Sequence, residues 1–195
     1  MYLFVDTETG GLTTQHSLLT ASLICVDKNF DIIPRKSGEH GLHLKIQHDD
    51  YVLTAGALTV NNISIAEHHK EGLSLQAAKS ALLYFLDEML SISACKRFVP
   101  AGHNVSFDVK FLQHYLLTDA EWNKYFTYPA LDTAAAARWL HTAGRHPGGY
   151  ALSRLRDSYA PHMRGQLHDA ETDNLTALEI AKKFAQMFTA VSLTG

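Results

Sequence analysis

Residues 2–6 form an apolar run that closes in Asp6-Thr7-Glu8-Thr9-Gly10-Gly11, a pattern that predicts a buried strand ending in a turn. Residues 18–26 and a segment near 41–46 predict two more strands. Asp27-Lys28-Asn29 reads as a hairpin turn into a returning strand, Phe30-Asp31-Ile32-Ile33, and residues 34–41 as a second loop. The N-terminal part is therefore expected to be a β-meander. From Ser74 the period changes. Leu75, Ala78, Leu82, Phe85 and Met89 recur at helical spacing, with Ser74 placed to cap the start. Residues 97–101 predict another strand, 105–117 a helix and 129–131 a short strand. The Ala134 to Ala137 run favours helix strongly, with Asp132 or Thr133 as its N-cap. Gly144, Pro147, Gly148 and Gly149 mark a loop, 150–159 a short helix and 170–188 a long terminal one. A meander followed by alternating strand and helix predicts an α/β fold with a mixed sheet, and with no repeat or linker the chain 1–195 is expected to be one domain.

Two of the helical stripes carry a charge where apolar side chains belong. Asp108 falls on the stripe of Val105, Phe111, Leu112 and Tyr115, and Asp173 continues the stripe of Ala177, Ile180, Phe184 and Met187 backwards by one turn. Asp6 and Glu8, two residues apart on a strand, project to one face. An exposed acidic turn would account for that pair alone, and a lysine or arginine partner would account for either lone aspartate. A buried, unpaired carboxylate costs several kcal/mol or takes up a proton. Four of them together point instead to hard divalent cations, Mg²⁺ or Mn²⁺, which prefer oxygen ligands and leave positions for phosphate oxygens. Nothing among the histidines and cysteines has zinc-site spacing, and His68-His69 is expected in a solvated polar loop.

Composition narrows the setting. A formal charge of −3, from 17 basic and 20 acidic residues, excludes a strongly basic nucleic-acid binder, so any such contact must be local. Five arginines, Arg138, Arg145, Arg154, Arg156 and Arg164, face only Asp157 in their stretch and are candidates for phosphate contacts; a solvated loop and helix face is the alternative. Cys25 and Cys95 sit in apolar stretches and read as reduced thiols. No basic leader, signal-type segment or bilayer-length apolar run is visible, so cytoplasmic residence is expected.

Three segments in order, Asp6-Thr7-Glu8-Thr9-Gly10-Gly11-Leu12, Gly102-His103-Asn104-Val105-Ser106-Phe107-Asp108 and His168-Asp169-Ala170-Glu171-Thr172-Asp173, resemble the three exonuclease motifs of the DEDDh, or DnaQ-like, superfamily. That superfamily includes polymerase III proofreading subunits, ribonuclease T and TREX nucleases. Ala57-Leu58-Thr59-Val60-Asn61-Asn62-Ile63 and Leu131-Asp132-Thr133 look like family segments between the motifs. The resemblance implies a ribonuclease H-like fold with a five-stranded mixed sheet flanked by helices. It implies two Mg²⁺ or Mn²⁺ ions held by Asp6, Glu8, Asp108 and Asp173, with Asp6 bridging both and Asp108 acting through water. His168, otherwise only a helix-entry loop residue, becomes the general base, and Asp169 beside it suits N-capping. Backbone groups of Thr7, Glu8 and Thr9 and the side chain of Leu12 would hold and wedge a terminal nucleotide, with Asn104 and Phe107 nearby; Phe107 fits the core equally well.

The activity so implied is hydrolysis from the 3′ end of DNA or RNA, expected single-stranded, releasing 5′ mononucleotides. A ribonuclease H-like endonuclease and a catalytically inactive nucleic-acid-binding module are the alternatives. No membrane partner is expected, and a homodimer or a polymerase association stays open.

Overall fold

The computed structural model describes residues 1–163 and 169–189. Three antiparallel strands come first, β1 (Tyr2–Thr9), β2 (Leu18–Val26) and β3 (Leu42–Gln47). Two short helices, α1 (Ala55–Asn61) and α2 (Ile65–Glu71), lead into a two-residue strand β4 (Leu73–Ser74) and the long α3 (Leu75–Ser93). Then come β5 (Val99–Gly102), α4 (Ser106–Tyr115), α5 (Asp119–Tyr125), β6 (Leu131–Asp132), α6 (Thr133–Thr142), α7 (Leu152–Tyr159) and α8 (Ala170–Thr189). The sheet runs β4-β3-β2-β1-β5-β6, with β5 parallel to β1 and β6 parallel to β5. This is the mixed α/β, ribonuclease H-like arrangement, with six strands where five were expected. The sixth, β4, pairs only Leu73 and Ser74 with the edge of β3, too short a run to leave a period in the sequence.

Alternation along β1 sorts its side chains between two layers. Leu3 and Val5 pack with Leu82, Phe85 and Met89 of α3 and with Phe111 and Leu112 of α4. Phe4 points the other way, into a layer closed by Ala177, Leu178 and Ala181 of α8. By the same parity Thr7 faces α4, while Asp6 and Glu8 face α8. Cys25, in the α3 layer, is a free thiol that burial pushes up to about 12.

Other expectations need correction. After the Asp27 turn, whose carboxylate accepts from the backbone N–H of Asn29 at 2.7 Å and of Asp31 at 2.9 Å, Phe30 adopts φ 64°. That left-handed residue breaks the returning strand, leaving one isolated bridge between Val26 and Ile32. Helices α1, α2 and α5 were not anticipated. For α5 a signal existed, since Thr118 and Glu121 form a reciprocal capping box. His68 and His69 belong to α2 and not to a solvated loop. His68 is buried with Nε2 3.2 Å from the Ile46 carbonyl, and His69 lies between Gln47 and Tyr51. The α6 cap is Asp132, which accepts from the backbone N–H of Ala134 and Ala135. No described helix is long and apolar enough to cross a membrane.

The seam between α8 and the sheet is pinned by Asn174, fully buried, whose amide donates to the carbonyls of Phe4 and Ser22, both at 3.1 Å, and to Ser22 Oγ at 3.2 Å. Asn174→Ala is expected to lower unfolding free energy by about 1–3 kcal/mol, the usual cost of leaving buried polar partners unmatched. Urea titration reads this directly, and a loss well below that range would show that the seam holds without it.

Candidate active site

The C-terminal half of β1 carries polar residues inside the protein, because helices cover both of its faces. Thr7, Glu8 and Thr9 are all buried, and Asp6 is partly so. Gly10 and Gly102 allow this crowding. A β carbon on Gly10 would collide with the Val52 carbonyl, and one on Gly102 would lie 2.6 Å from the Val5 carbonyl.

On the α8 side, carboxylate oxygens of Asp6, Glu8 and Asp173 all lie within 4.8 Å of one another. Asp173 is set in the first turn of α8, whose start is capped by Asp169: its Oδ2 accepts from the Thr172 backbone N–H at 3.1 Å and from the Thr172 hydroxyl at 2.9 Å. The N-terminal end of the helix dipole favours negative charge there. Asp108 approaches from the opposite side. It is buried in α4, and its Oδ1 accepts from the Thr7 hydroxyl at 2.7 Å, so it adjoins the trio without being one of its mutually close donors.

Electrostatics of the bare centre are unfavourable to ionisation. Burial raises Glu8 to about 8, with Asp173, Asp169 and Asp108 adding to the effect. Asp6 is held well above the usual carboxylate range by burial, then by Asp108, Asp173 and Glu8. Burial brings Asp108 to about 7, against the lowering effect of the Thr7 hydroxyl and nearby backbone N–H groups. Asp6, Glu8 and Asp108 form no salt bridge with any described residue. Such a group holds together with shared protons or with cations. The donors are all carboxylate oxygens, the chemistry that suits a hard divalent ion, so Asp6, Glu8 and Asp173 form a candidate metal site.

Beside the carboxylates opens a cleft of about 440 Å³. Its other wall is apolar, made by Leu12, Ala57, Val60 and Phe107, with Leu12 86% exposed. Thr7 and Thr9 also line it, and the Asn61 amide donates to the Thr9 carbonyl at 2.9 Å, fastening α1 to the end of β1. A second hollow, about 450 Å³, lies across Leu12 and Phe107 and is lined by Asn104, Ser106 and Lys110. Leu12 and Phe107 thus form a ridge between two hollows, and Asn104 lies on the far side of it. Phe107 lines both hollows and also packs its ring on Phe111, with centroids 5.0 Å apart.

The α1 wall was missed from the sequence. Residues 57–63 resemble a family segment, but the seven residues of α1 include no cysteine, histidine or charge and so carry no chemical signal. His168 and Arg164 lie outside the described residues. Of the remaining arginines, Arg156 pairs with Asp157 at 2.9 Å and Arg138 lies over the Tyr150 ring, while Arg145 and Arg154 are exposed.

No family model matches the chain. Solved structures do. An E. coli exonuclease I complex with a dT13 oligonucleotide matches 98% of the chain at 17% identity with a TM-score of 0.74. The zinc-bound form of an E. coli exonuclease I complex with single-stranded DNA matches 98% at 18% identity, also with a TM-score of 0.74. A product-bound exonuclease I matches 96% at 18% identity and 0.70. The chain spans less than half of those proteins, 43%, 41% and 46% respectively. Over nearly its whole length, then, the chain has the fold found in E. coli exonuclease I, a DEDDh, DnaQ-like 3′–5′ exonuclease.

Proposed function

We propose that the chain is a divalent-metal-dependent 3′ to 5′ exonuclease acting on single-stranded nucleic acid. The observation that carries this reading is the convergence of Asp6, Glu8 and Asp173 within 4.8 Å at one wall of a cleft whose other wall is apolar and divided by an exposed leucine. Carboxylates suit cations, and the cations suit a phosphodiester. The apolar wall suits a base. The oligonucleotide-bound exonuclease I structures with the same fold support the choice of single strands.

Two bound Mg²⁺ or Mn²⁺ ions would stabilise the entering and leaving oxygens of an in-line displacement at phosphorus. Asp6 would hold the ions together with Glu8 and Asp173, whose carboxylate oxygens lie within 4.8 Å of its own. By resemblance, Asp108 would act through water. Thr7 keeps Asp108 oriented by donating to it. His168, by resemblance, would take the proton from the attacking water, a role typically worth about 10²–10⁴-fold. Leu12 and Phe107 would part the last base from the one before it, Thr7 and Thr9 lining the terminal site and Asn104 the next.

The test is a comparison of 3′-ended and circular single strands. With Mg²⁺ or Mn²⁺, a 5′-labelled oligonucleotide, DNA or RNA, is expected to shorten stepwise with release of 5′ mononucleotides. The circle stays intact, and chelation stops the reaction. Nicking of the circle would favour an endonuclease, and binding without hydrolysis a non-catalytic module.

A further inference from the structure

Behind Glu8, away from the Leu12 and Phe107 ridge, lies another cavity, about 400 Å³, between β2, β3, α2 and the start of α8. Glu8 and Asn61 line both this cavity and the cleft, so they form the partition between them. The walls are polar, and several groups in them are already engaged. Asn61 donates to the Thr9 carbonyl, His68 is bonded to the Ile46 carbonyl, and Lys45 pairs with Glu71. Thr20 is different. It is 6% exposed, it lines the cavity, and among the described residues its hydroxyl has no hydrogen-bond partner.

Thr20 stands directly opposite Glu8 in the antiparallel β1 and β2 pair. Directly opposed side chains project from the same face, with β carbons about 4.5–5.5 Å apart. A buried hydroxyl is costly to leave without a partner. An anion does not fit the cavity, because Glu8, Glu67, Glu71 and Asp169 outnumber Lys45, whose charge is already met by Glu71. Water does fit. A buried water needs two to four polar partners and roughly 30 Å³, and the Thr20 hydroxyl and Glu8 carboxylate provide two with no direct hydrogen bond between them.

We propose that Thr20 is a positioning residue for Glu8: its hydroxyl anchors a buried water that bridges to the Glu8 carboxylate and fixes which oxygen faces the cation site. This rests on the metal-dependent reading above. Removing a partner that orients a metal-ligating side chain typically costs about 10–100-fold in metal affinity or activity.

The experiment compares Thr20→Val, which keeps the shape and removes the hydroxyl, with Thr20→Ser, which keeps the hydroxyl. Mn²⁺ affinity is measured by calorimetry on the metal-stripped chain, alongside kcat and KM for a 3′-ended oligonucleotide. Thr20→Val is expected to bind Mn²⁺ about 10-fold more weakly and to lose kcat at unchanged KM. Thr20→Ser is expected to restore both, and the urea stability of metal-free Thr20→Val is not expected to fall. Wild-type Mn²⁺ affinity in Thr20→Val would overturn the proposal, as would equal impairment of the serine variant, which would make the methyl group responsible. If the wild type binds Mn²⁺ without hydrolysing the oligonucleotide, the nuclease reading fails, while the Thr20→Val isotherm still decides the role of Thr20.

Discussion

Asp6→Asn is expected to lower hydrolysis of a 3′-ended oligonucleotide by at least about 10²–10³-fold, the usual loss when one preorganised charge-stabilising group is removed. The same substitution is expected to stabilise the metal-free protein. Asp6 is crowded by Asp108, Asp173 and Glu8, and every one of them, like burial itself, raises its proton affinity. An amide of the same shape is neutral already, so it bears neither the buried charge nor the cost of holding a proton there. Activity falling while stability rises is a signature that simple misfolding cannot produce. The two readouts are a 5′-labelled degradation assay and chelated thermal unfolding. Activity within about threefold of wild type, far short of the 10²–10³-fold loss, would remove Asp6 from the reacting centre.

The second large effect joins pH to metal. Glu8 near 8, Asp108 near 7 and the raised Asp6 all hold protons in the folded state that an unfolded chain would release near pH 4. A carboxyl raised in this way contributes stability that is fully present below its unfolded value and is lost as pH rises through its folded value. The metal-free protein should therefore lose stability progressively from about pH 4.5, where the unfolded carboxyls ionise, up to about pH 8, and level off above the folded values near 7 and 8. His68 and His103, both lowered by burial, act in the opposite sense, but only below the ordinary imidazole value. They leave the upper part of this window, from about pH 6.5 to 8, to the carboxyls alone.

Cations select the ionised carboxylates, so Mn²⁺ should stabilise strongly at the upper end of the window and weakly near pH 6. At a hundred times its dissociation constant an ion adds about 2.7 kcal/mol. For a chain of this size that is roughly 5–10 °C in Tm. Calorimetric scans at both pH values, with and without Mn²⁺, measure it. A metal-free Tm that rises across the window, or a Mn²⁺ shift equal at both pH values, would contradict the picture of a proton-filled cation site.

The acids could be found from sequence because a charge on an apolar stripe is conspicuous at a period of 3.6, and Asp108 and Asp173 are indeed buried. Their arrangement was less visible. Thr7, between Asp6 and Glu8, faces the other layer and bonds Asp108, which sets that aspartate across the strand from the trio of Asp6, Glu8 and Asp173. Periodicity tells which face a residue occupies within its own element, but not which elements will flank a strand. Helix α1 escaped for another reason. Its stabilising features, the Thr54 cap and the Asn61 bond to the Thr9 carbonyl, are single polar contacts that leave no repeating pattern. His68 was misplaced because its burial against the Ile46 carbonyl is purely tertiary.

The parity of β1 carries a genetic corollary. Sliding that segment by one position would turn Asp6 and Glu8 beneath α4 and offer threonines to α8, exchanging an oxygen-rich surface for hydroxyls and methyls at a stroke. A single-codon deletion between Tyr2 and Asp6 would have no neutral intermediate, because the frame of the strand and the chemistry at its tip are the same piece of information.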